Sequence, residues 1–274
     1  MVGGEQMNEE TQSPGANRRQ VLRGTLAGTV AVLTPGIFLW RLSAATPPEE
    51  PANAKNRWGL LIDTSQCAKD CDACVQTCFE ENGIQRHGRP LTDPQSIRKV
   101  TIRDKLSGRT VSLPLMCQHC TYPPCADVCP TGASFRRADG IVLVDRHTCI
   151  GCRYCIMACP YEVRFFVHEN LTNQKHEVPR GKGTAEGCTL CVHRVDRDLI
   201  PACADACQRL GHKAILFGDL NDPDSAISVR LVNVPSQQLR DDLQLDTSVR
   251  YEGSWRFFWP MVQKLEGRIQ NATI

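Results

Sequence analysis

Apolar and polar positions along this chain alternate only in short bursts, which predicts small strands and helices rather than long ones. Residues 58–62 and 213–217 read as apolar strands. Residues 134–137 and 141–144 are β-prone runs on either side of the turn dipeptide Asp139-Gly140, a hairpin signature. Alternation near 100–102 and 110–113 predicts a second pair of strands. Short helices are expected over 125–129 and 155–159, each stopped by the proline that follows. The longest apolar stretch, about residues 24–40, is rich in Gly and Thr and contains Pro35, so it is marginal as a membrane-spanning helix. The pattern as a whole is α+β.

Composition adds a reason for the short elements. Of 274 residues, 41% are apolar with cysteine included and only 6% are aromatic, a thin core for a chain long enough for one or two domains. Sixteen cysteines stand in four quartets: Cys67, Cys71, Cys74, Cys78; Cys117, Cys120, Cys125, Cys129; Cys149, Cys152, Cys155, Cys159; and Cys188, Cys191, Cys203, Cys207. The third reads C-x2-C-x2-C-x3-C before Pro160 and is similar to the run with which bacterial ferredoxins hold [4Fe-4S] clusters. Sixteen thiolates at four per cubane give four clusters, a set suited to passing electrons. Ligation would then supply folding free energy that side-chain burial does not, and the apoprotein is expected to be largely unfolded. The formal charge of +2 counts every cysteine as neutral; four oxidised clusters bring it to about 6 minus. Lys and Arg in part offset those buried anions and lend no support to a nucleic-acid partner.

Two other uses of cysteine compete with this one. An even number of cysteines outside the cytoplasm usually forms disulfides, and structural zinc accepts C-x2-C pairs. Tight spacings gather four sulfurs around one loop and a helical turn, which suits a cubane better than long-range bridges. Quartets that end twice in Cys-Pro fit zinc knuckles poorly. A zinc- or disulfide-stabilised binding module is therefore the competing reading from a different class. No C-x-x-C-H occurs, which excludes covalent c-type haem on this chain.

Asn17-Arg18-Arg19-Gln20-Val21-Leu22-Arg23 precedes the apolar stretch and resembles the signal read by the twin-arginine translocase, which exports proteins already folded around their cofactors. Asn, Val and Arg replace the commoner Ser, Phe and Lys of that signal; the bland reading is two arginines flanking a membrane anchor. Ala52-Asn53-Ala54 offers a small-residue cleavage site, so residues 1–54 form a segment that is either removed or kept as an anchor. The expected location is the periplasmic side of the cytoplasmic membrane.

An internal repeat sets the expected architecture. Residues 58–67 and 141–149 each run from an apolar strand into Asp-x3-Cys, at Asp63 and Cys67 and at Asp145 and Cys149. Strand 213–217 follows the fourth quartet as 134–137 follows the second. Strand 58–62 should then pair with 213–217, closing a second ferredoxin-like unit from the two ends of the cysteine region, with pseudo-two-fold symmetry to the first.

These features are similar to the four-cluster ferredoxin-like electron-transfer subunits that accompany molybdopterin reductases and quinone-linked membrane complexes. The resemblance covers about residues 58–223, including Cys117-Gln-His-Cys-Thr-Tyr-Pro-Pro-Cys125, Cys149-Ile-Gly-Cys-Arg-Tyr-Cys155 and Phe217-Gly-Asp-Leu-Asn-Asp-Pro223. The twin-arginine segment, the C-x3-C opening and Cys191-Val-His-Arg-Val-Asp196 most resemble periplasmic iron-sulfur subunits of sulfite-reduction-associated membrane complexes.

In two-cluster ferredoxins the fourth cysteine of each run ligates the other cluster. Carried over, the resemblance implies one cluster on Cys149, Cys152, Cys155 and Cys129, a second on Cys117, Cys120, Cys125 and Cys159, a third on Cys67, Cys71, Cys74 and Cys207, and a fourth on Cys188, Cys191, Cys203 and Cys78. The implied partners are an integral membrane quinone-interacting subunit of polysulfide-reductase type, a triheme cytochrome c, and cytochrome b and cytoplasmic iron-sulfur subunits. The implied role is to relay electrons between the quinone-interacting subunit and the multihaem cytochrome in sulfur metabolism. The alternative is the electron-transfer subunit of a molybdopterin oxidoreductase of dimethyl sulfoxide or polysulfide reductase type.

The expected organisation is a signal or anchor over 1–54, a four-cluster domain over 55–223 and a C-terminal tail over 224–274. Within the domain, an inner unit spans about 117–160 and an outer unit joins 58–78 to 188–218, with insertions at 79–116 and 161–187. No catalytic residue of its own is expected, since no acid/base pair or nucleophile stands out. His119, His147, His168, His176 and His193 lie among or near the quartets and read as neighbours of ligands or as solvated, with ligation conceivable. Gly151 lets the chain wrap its cluster closely. Arg153 either raises that cluster's potential or faces solvent, and Tyr122 and Tyr154 read as packing residues. The basic residues Arg86, Arg89, Arg98, Lys99, Arg103, Lys105 and Arg109 read equally as a partner-docking hairpin or a solvated face. The aromatic patch at 255–260 suggests contact with a membrane subunit or lipid headgroups.

Overall fold

The computed structural model describes residues 52–89, 92–103, 108–172 and 174–253. The twin-arginine segment, the 24–40 apolar stretch, Lys105 and the 255–260 patch lie outside the described residues. Among the described residues no helix is long and apolar enough to cross a membrane. In chain order the elements are β1 (Trp58–Asp63), α1 (Ala73–Glu81), β2 (Ile97–Arg103), β3 (Thr110–Met116), α2 (Pro124–Asp127), β4 (Ser134–Arg136), β5 (Val142–Val144), α3 (Tyr154–Met157), β6 (Arg164–Phe166), β7 (Ala185–Gly187), α4 (Val192–Val195), α5 (Ala202–Arg209), β8 (Ile215–Asp219), α6 (Ala226–Asn233) and β9 (Val249–Glu252). The content is α+β, as its sequence pattern predicts.

β1 is the keystone. Its Gly-Leu-Leu-Ile run is buried on both faces, as expected of a strand with neighbours on either side. The pairing expected from the repeat is present: β1 runs antiparallel to β8, with Leu60 opposite Phe217 and Ile62 opposite Ile215. Trp58 stacks on Phe217 with ring centroids 5.3 Å apart. β8 starts two residues later than the apolar run suggests. Gly211 and Lys213, at φ 77° and 52°, hold the chain in a turn there.

The Asp139-Gly140 hairpin also forms, with Ser134 opposite Val144 and Gly140 at φ 91°. Arg137 ties it down, reaching the Asp139 carboxylate at 3.0 Å and Asp196, just beyond α4, at 2.7 Å. α2 and α3 are only four residues long and end two residues before Cys129 and Cys159, so the expected helices over 125–129 and 155–159 are too long by a residue or two at that end.

The tail and part of the basic set differ from expectation. Lys99 on β2 turns inward and donates to the carbonyls of Ala68, Lys69 (2.7 Å) and Cys71 (2.6 Å). Arg98 donates to Glu162 O at 2.9 Å, Arg89 pairs with Asp93 and Glu169, and Arg86 lies 4.4 Å from the Phe79 ring centroid. Lys99 and Arg98 thus tie down neighbouring loops of their own chain, whereas Arg86, Arg89, Arg103 and Arg109 are exposed. The stretch from 224, expected as a tail, belongs to the core as far as 253. β9 pairs parallel with β1, Val249 and Tyr251 are fully buried, and the Tyr251 hydroxyl donates to Pro114 O at 3.2 Å. Ser248 N donates to Gln118 O and Thr121 N to Leu245 O, so this segment clasps the second cysteine loop against β1.

Candidate functional site

α1 and α5 pack side by side, and each carries two cysteines four residues apart, Cys74 and Cys78 on one and Cys203 and Cys207 on the other. That spacing puts both sulfurs of a helix on one face. The influence of each thiol on its neighbours shows which sulfurs the fold brings together. Burial pushes Cys74 up to about 12, helped by Cys67, Cys207 and Cys71. Cys78 is pushed well up by burial and then by Cys188, Cys203 and Cys191. Burial also raises Cys120, with Cys117, Cys125 and Cys159 adding to it. Cys155 is raised by burial against the pull of Arg164, with Cys149 and Cys129 as its like-charged neighbours.

Four groups result, and each lies near enough to the next for their charges to interact, in a row. Cys203 feels Cys74, Cys188 feels Cys117, and Cys125 feels Cys155. The order is Cys67, Cys71, Cys74 and Cys207; then Cys78, Cys188, Cys191 and Cys203; then Cys117, Cys120, Cys125 and Cys159; then Cys129, Cys149, Cys152 and Cys155, where Cys152 is exposed.

Three of these groups each ring a cavity of their own, of about 340, 300 and 310 Å³ including space open to solvent, in the order just given from the second group on. All sixteen cysteines are free thiols. Among the described residues no three His, Cys, Asp or Glu side chains come close enough to share a single metal ion. The sulfurs gather in fours around these spaces, the donor set of a [4Fe-4S] cluster. Burial holds Cys74, Cys78, Cys120, Cys188 and Cys203 above the usual thiol range, so these stay protonated until cationic iron displaces their protons on binding.

The surroundings also suit an anionic group. Backbone N–H groups point at sulfur, from Ser134 to Cys129 and from Leu190 to Cys188, each at 3.4 Å. Burial raises Cys129, yet the Ser134 N–H and the Thr131 hydroxyl outweigh it and hold this thiol below its usual value. His119 lies between Cys117 and Cys120, 1% exposed, and its Nδ1 accepts the Val142 N–H at 3.1 Å. Burial, and then the Arg164 charge, push its pKa down to about 3. It is a neutral neighbour whose Nε2–H has no protein partner. His193 instead meets Glu81 at 2.7 Å.

Tyr122 and Tyr154 are not packing residues, being 65% and 54% exposed. Arg153 is exposed too, with its guanidinium 3.9 Å from the Phe166 ring centroid. Sequence reading missed Arg164, a buried cation on β6 beside Cys117, Cys125 and Cys155. No motif marks it, since the β6/β7 hairpin that carries it is three residues per strand.

Gly151 lies close against the backbone of Gly183. At φ +73° a Cβ there would stand 2.4 Å from Gly183 O. Gly151→Ala is expected to cost at least about 2 kcal/mol from the left-handed backbone and the clash together. Thermal melting of the loaded protein should show a drop of several degrees in Tm; an unchanged Tm would refute the close approach.

An α+β chain with free cysteines ringing buried cavities is an iron-sulfur protein of ferredoxin-like class. Residues 109–219 match the 4Fe-4S dicluster domain family. The chain is 38% identical over 263 residues to Hdr-like menaquinol oxidoreductase iron-sulfur subunit 1 of Archaeoglobus fulgidus, covering 86% of this chain and 97% of that one. It is 36% identical over 227 residues to a tetrathionate reductase subunit of Salmonella typhimurium, covering 79% of each. With a sulfite dehydrogenase subunit of Allochromatium vinosum it shares 38% identity over 191 residues, 63% of this chain and 72% of that one. The chain belongs to this family of iron-sulfur electron-transfer subunits of oxidoreductases.

Proposed function

We propose that the protein carries four [4Fe-4S] clusters in two ferredoxin-like units related by a pseudo-two-fold, and serves as an exported electron relay. Its ends would meet an integral membrane quinone-interacting subunit of polysulfide-reductase type and a triheme cytochrome c, on the periplasmic side of the membrane. Cytochrome b and cytoplasmic iron-sulfur subunits would complete the complex, and its chemistry would belong to sulfur metabolism. Each of the four sulfur groups takes one cluster, with Cys78, Cys129, Cys159 and Cys207 each serving the cluster of the paired run. Residues 55–223 hold the clusters and residues 1–54 are the export segment.

The observation that carries this reading is the row of four sulfur groups, buried in the middle and reaching the surface at Cys152. Bound clusters supply one-electron carriers. The chain's own residues fix their spacing, exclude water and aim N–H donors at sulfur. A relative named for menaquinol oxidation and others named for tetrathionate and sulfite support the quinone and sulfur assignments.

Isolated without oxygen from the membranes of its own organism, the tagged full chain is expected to bring c-type haem with it and to be reduced by menaquinol. The tetrathionate reductase relative favours a second reading, in which the chain feeds a separate catalytic subunit. Molybdenum without haem in the preparation would establish that one instead.

A further inference from the structure

Arg164 opens β6 with its side chain turned into the protein, 7% exposed. Among the described residues it forms no ion pair with Asp or Glu, although nearby Arg180 and Arg146 both pair with Glu186, at 2.9 and 3.5 Å. Its Nη1 is buried without a hydrogen-bond partner. What surrounds it is sulfur: Cys125, Cys117 and Cys155 act on its charge. It lines the cavity ringed by Cys117, Cys120, Cys125 and Cys159 and the adjoining one that reaches Cys188. Cys125 and Cys155 belong to neighbouring groups, so this cation stands where two of them meet. On the hairpin it lies opposite Gly187.

A buried cation without a counter-charge is strongly unfavourable. Neutral thiols do not answer it, whereas clusters with thiolate ligands do, at about 2 minus oxidised and 3 minus after taking one electron. A fixed positive charge stabilises the more negative state more. We propose that Arg164 is the shared tuning charge of the two clusters of the inner unit, holding both potentials up together at the Cys152 end of the row. This rests on the four-cluster reading above and moves the tuning role from exposed Arg153 to a residue inside the fold.

The test is a potentiometric EPR titration of the full chain purified without oxygen, with iron counted first. In Arg164→Met two of the four midpoints are expected to fall, the reduced-to-oxidised ratio at fixed potential dropping tenfold or more, about 59 mV for a one-electron couple. The other two move far less, and Arg164→Lys, which keeps the charge, restores most of the loss. Four unmoved midpoints at wild-type iron content would overturn the proposal, as would an equal shift of all four. Should the Met variant not retain iron, Arg164→Gln removes the charge while keeping a polar side chain, and the same outcomes apply to it. A wild-type chain with about eight irons instead of about sixteen would sink the four-cluster reading itself; because that count precedes any variant, the two failures are told apart.

Discussion

Cys78→Ser is expected to lower iron from about sixteen to about twelve per chain, and adding Cys188→Ser to lower it no further. The reason is geometric. Cys78 belongs to the first run in sequence, but α1 turns its sulfur toward Cys188, Cys203 and Cys191. Its neighbour one helical turn back, Cys74, faces Cys67, Cys207 and Cys71. The pair Cys74→Ser with Cys78→Ser should therefore remove two clusters and leave about eight irons. Ligation run by run predicts the reverse, twelve for Cys74 with Cys78 and eight for Cys78 with Cys188. Iron and sulfide analysis of the three variants, backed by spin counting in the reduced state, decides between the two patterns.

Removing every cluster should unfold the protein. Ligation ties together segments far apart in sequence, such as Cys78 with Cys188, Cys191 and Cys203, and metal binding of this kind supplies folding free energy directly. The roughly 5–15 kcal/mol that holds a typical domain together leaves little margin for losing it. Little else resists. Nine cysteines, from Cys74 to Cys207, are themselves members of the buried apolar cluster, and β4 to β7 are three residues each. After chelation in mild reductant, the radius of gyration should rise from about 19 Å toward about 58 Å, with loss of most far-ultraviolet dichroism. An apoprotein that keeps its compact size would show that side-chain packing alone suffices.

What the sequence made legible was what repeats or ligates. The Asp139-Gly140 hairpin and the pairing of β1 with β8 follow from short local signals and from the echo of Asp-x3-Cys at Cys67 and Cys149. β9 was not legible, because Val249–Glu252 carries no ligand and its partner β1 lies almost two hundred residues away. Lys99 was illegible for a related reason. Basic residues on an insertion look solvent-facing until the fold shows Lys99 capping the carbonyls of the first cysteine loop. Arg164 is the sharper case: a single arginine between Val163 and Phe165 has no periodic signal, and only the approach of Cys117, Cys125 and Cys155 gives it meaning. Tyr122 and Tyr154 sit inside the cysteine runs and so resemble packing, yet those loops turn outward where they stand.

Iron and acid-labile sulfide, measured on wild-type protein purified without oxygen, address the four-cluster assignment most directly. About sixteen of each per chain are expected, with a broad visible absorption that bleaches on reduction. Zinc without sulfide, or a colourless solution, would contradict it.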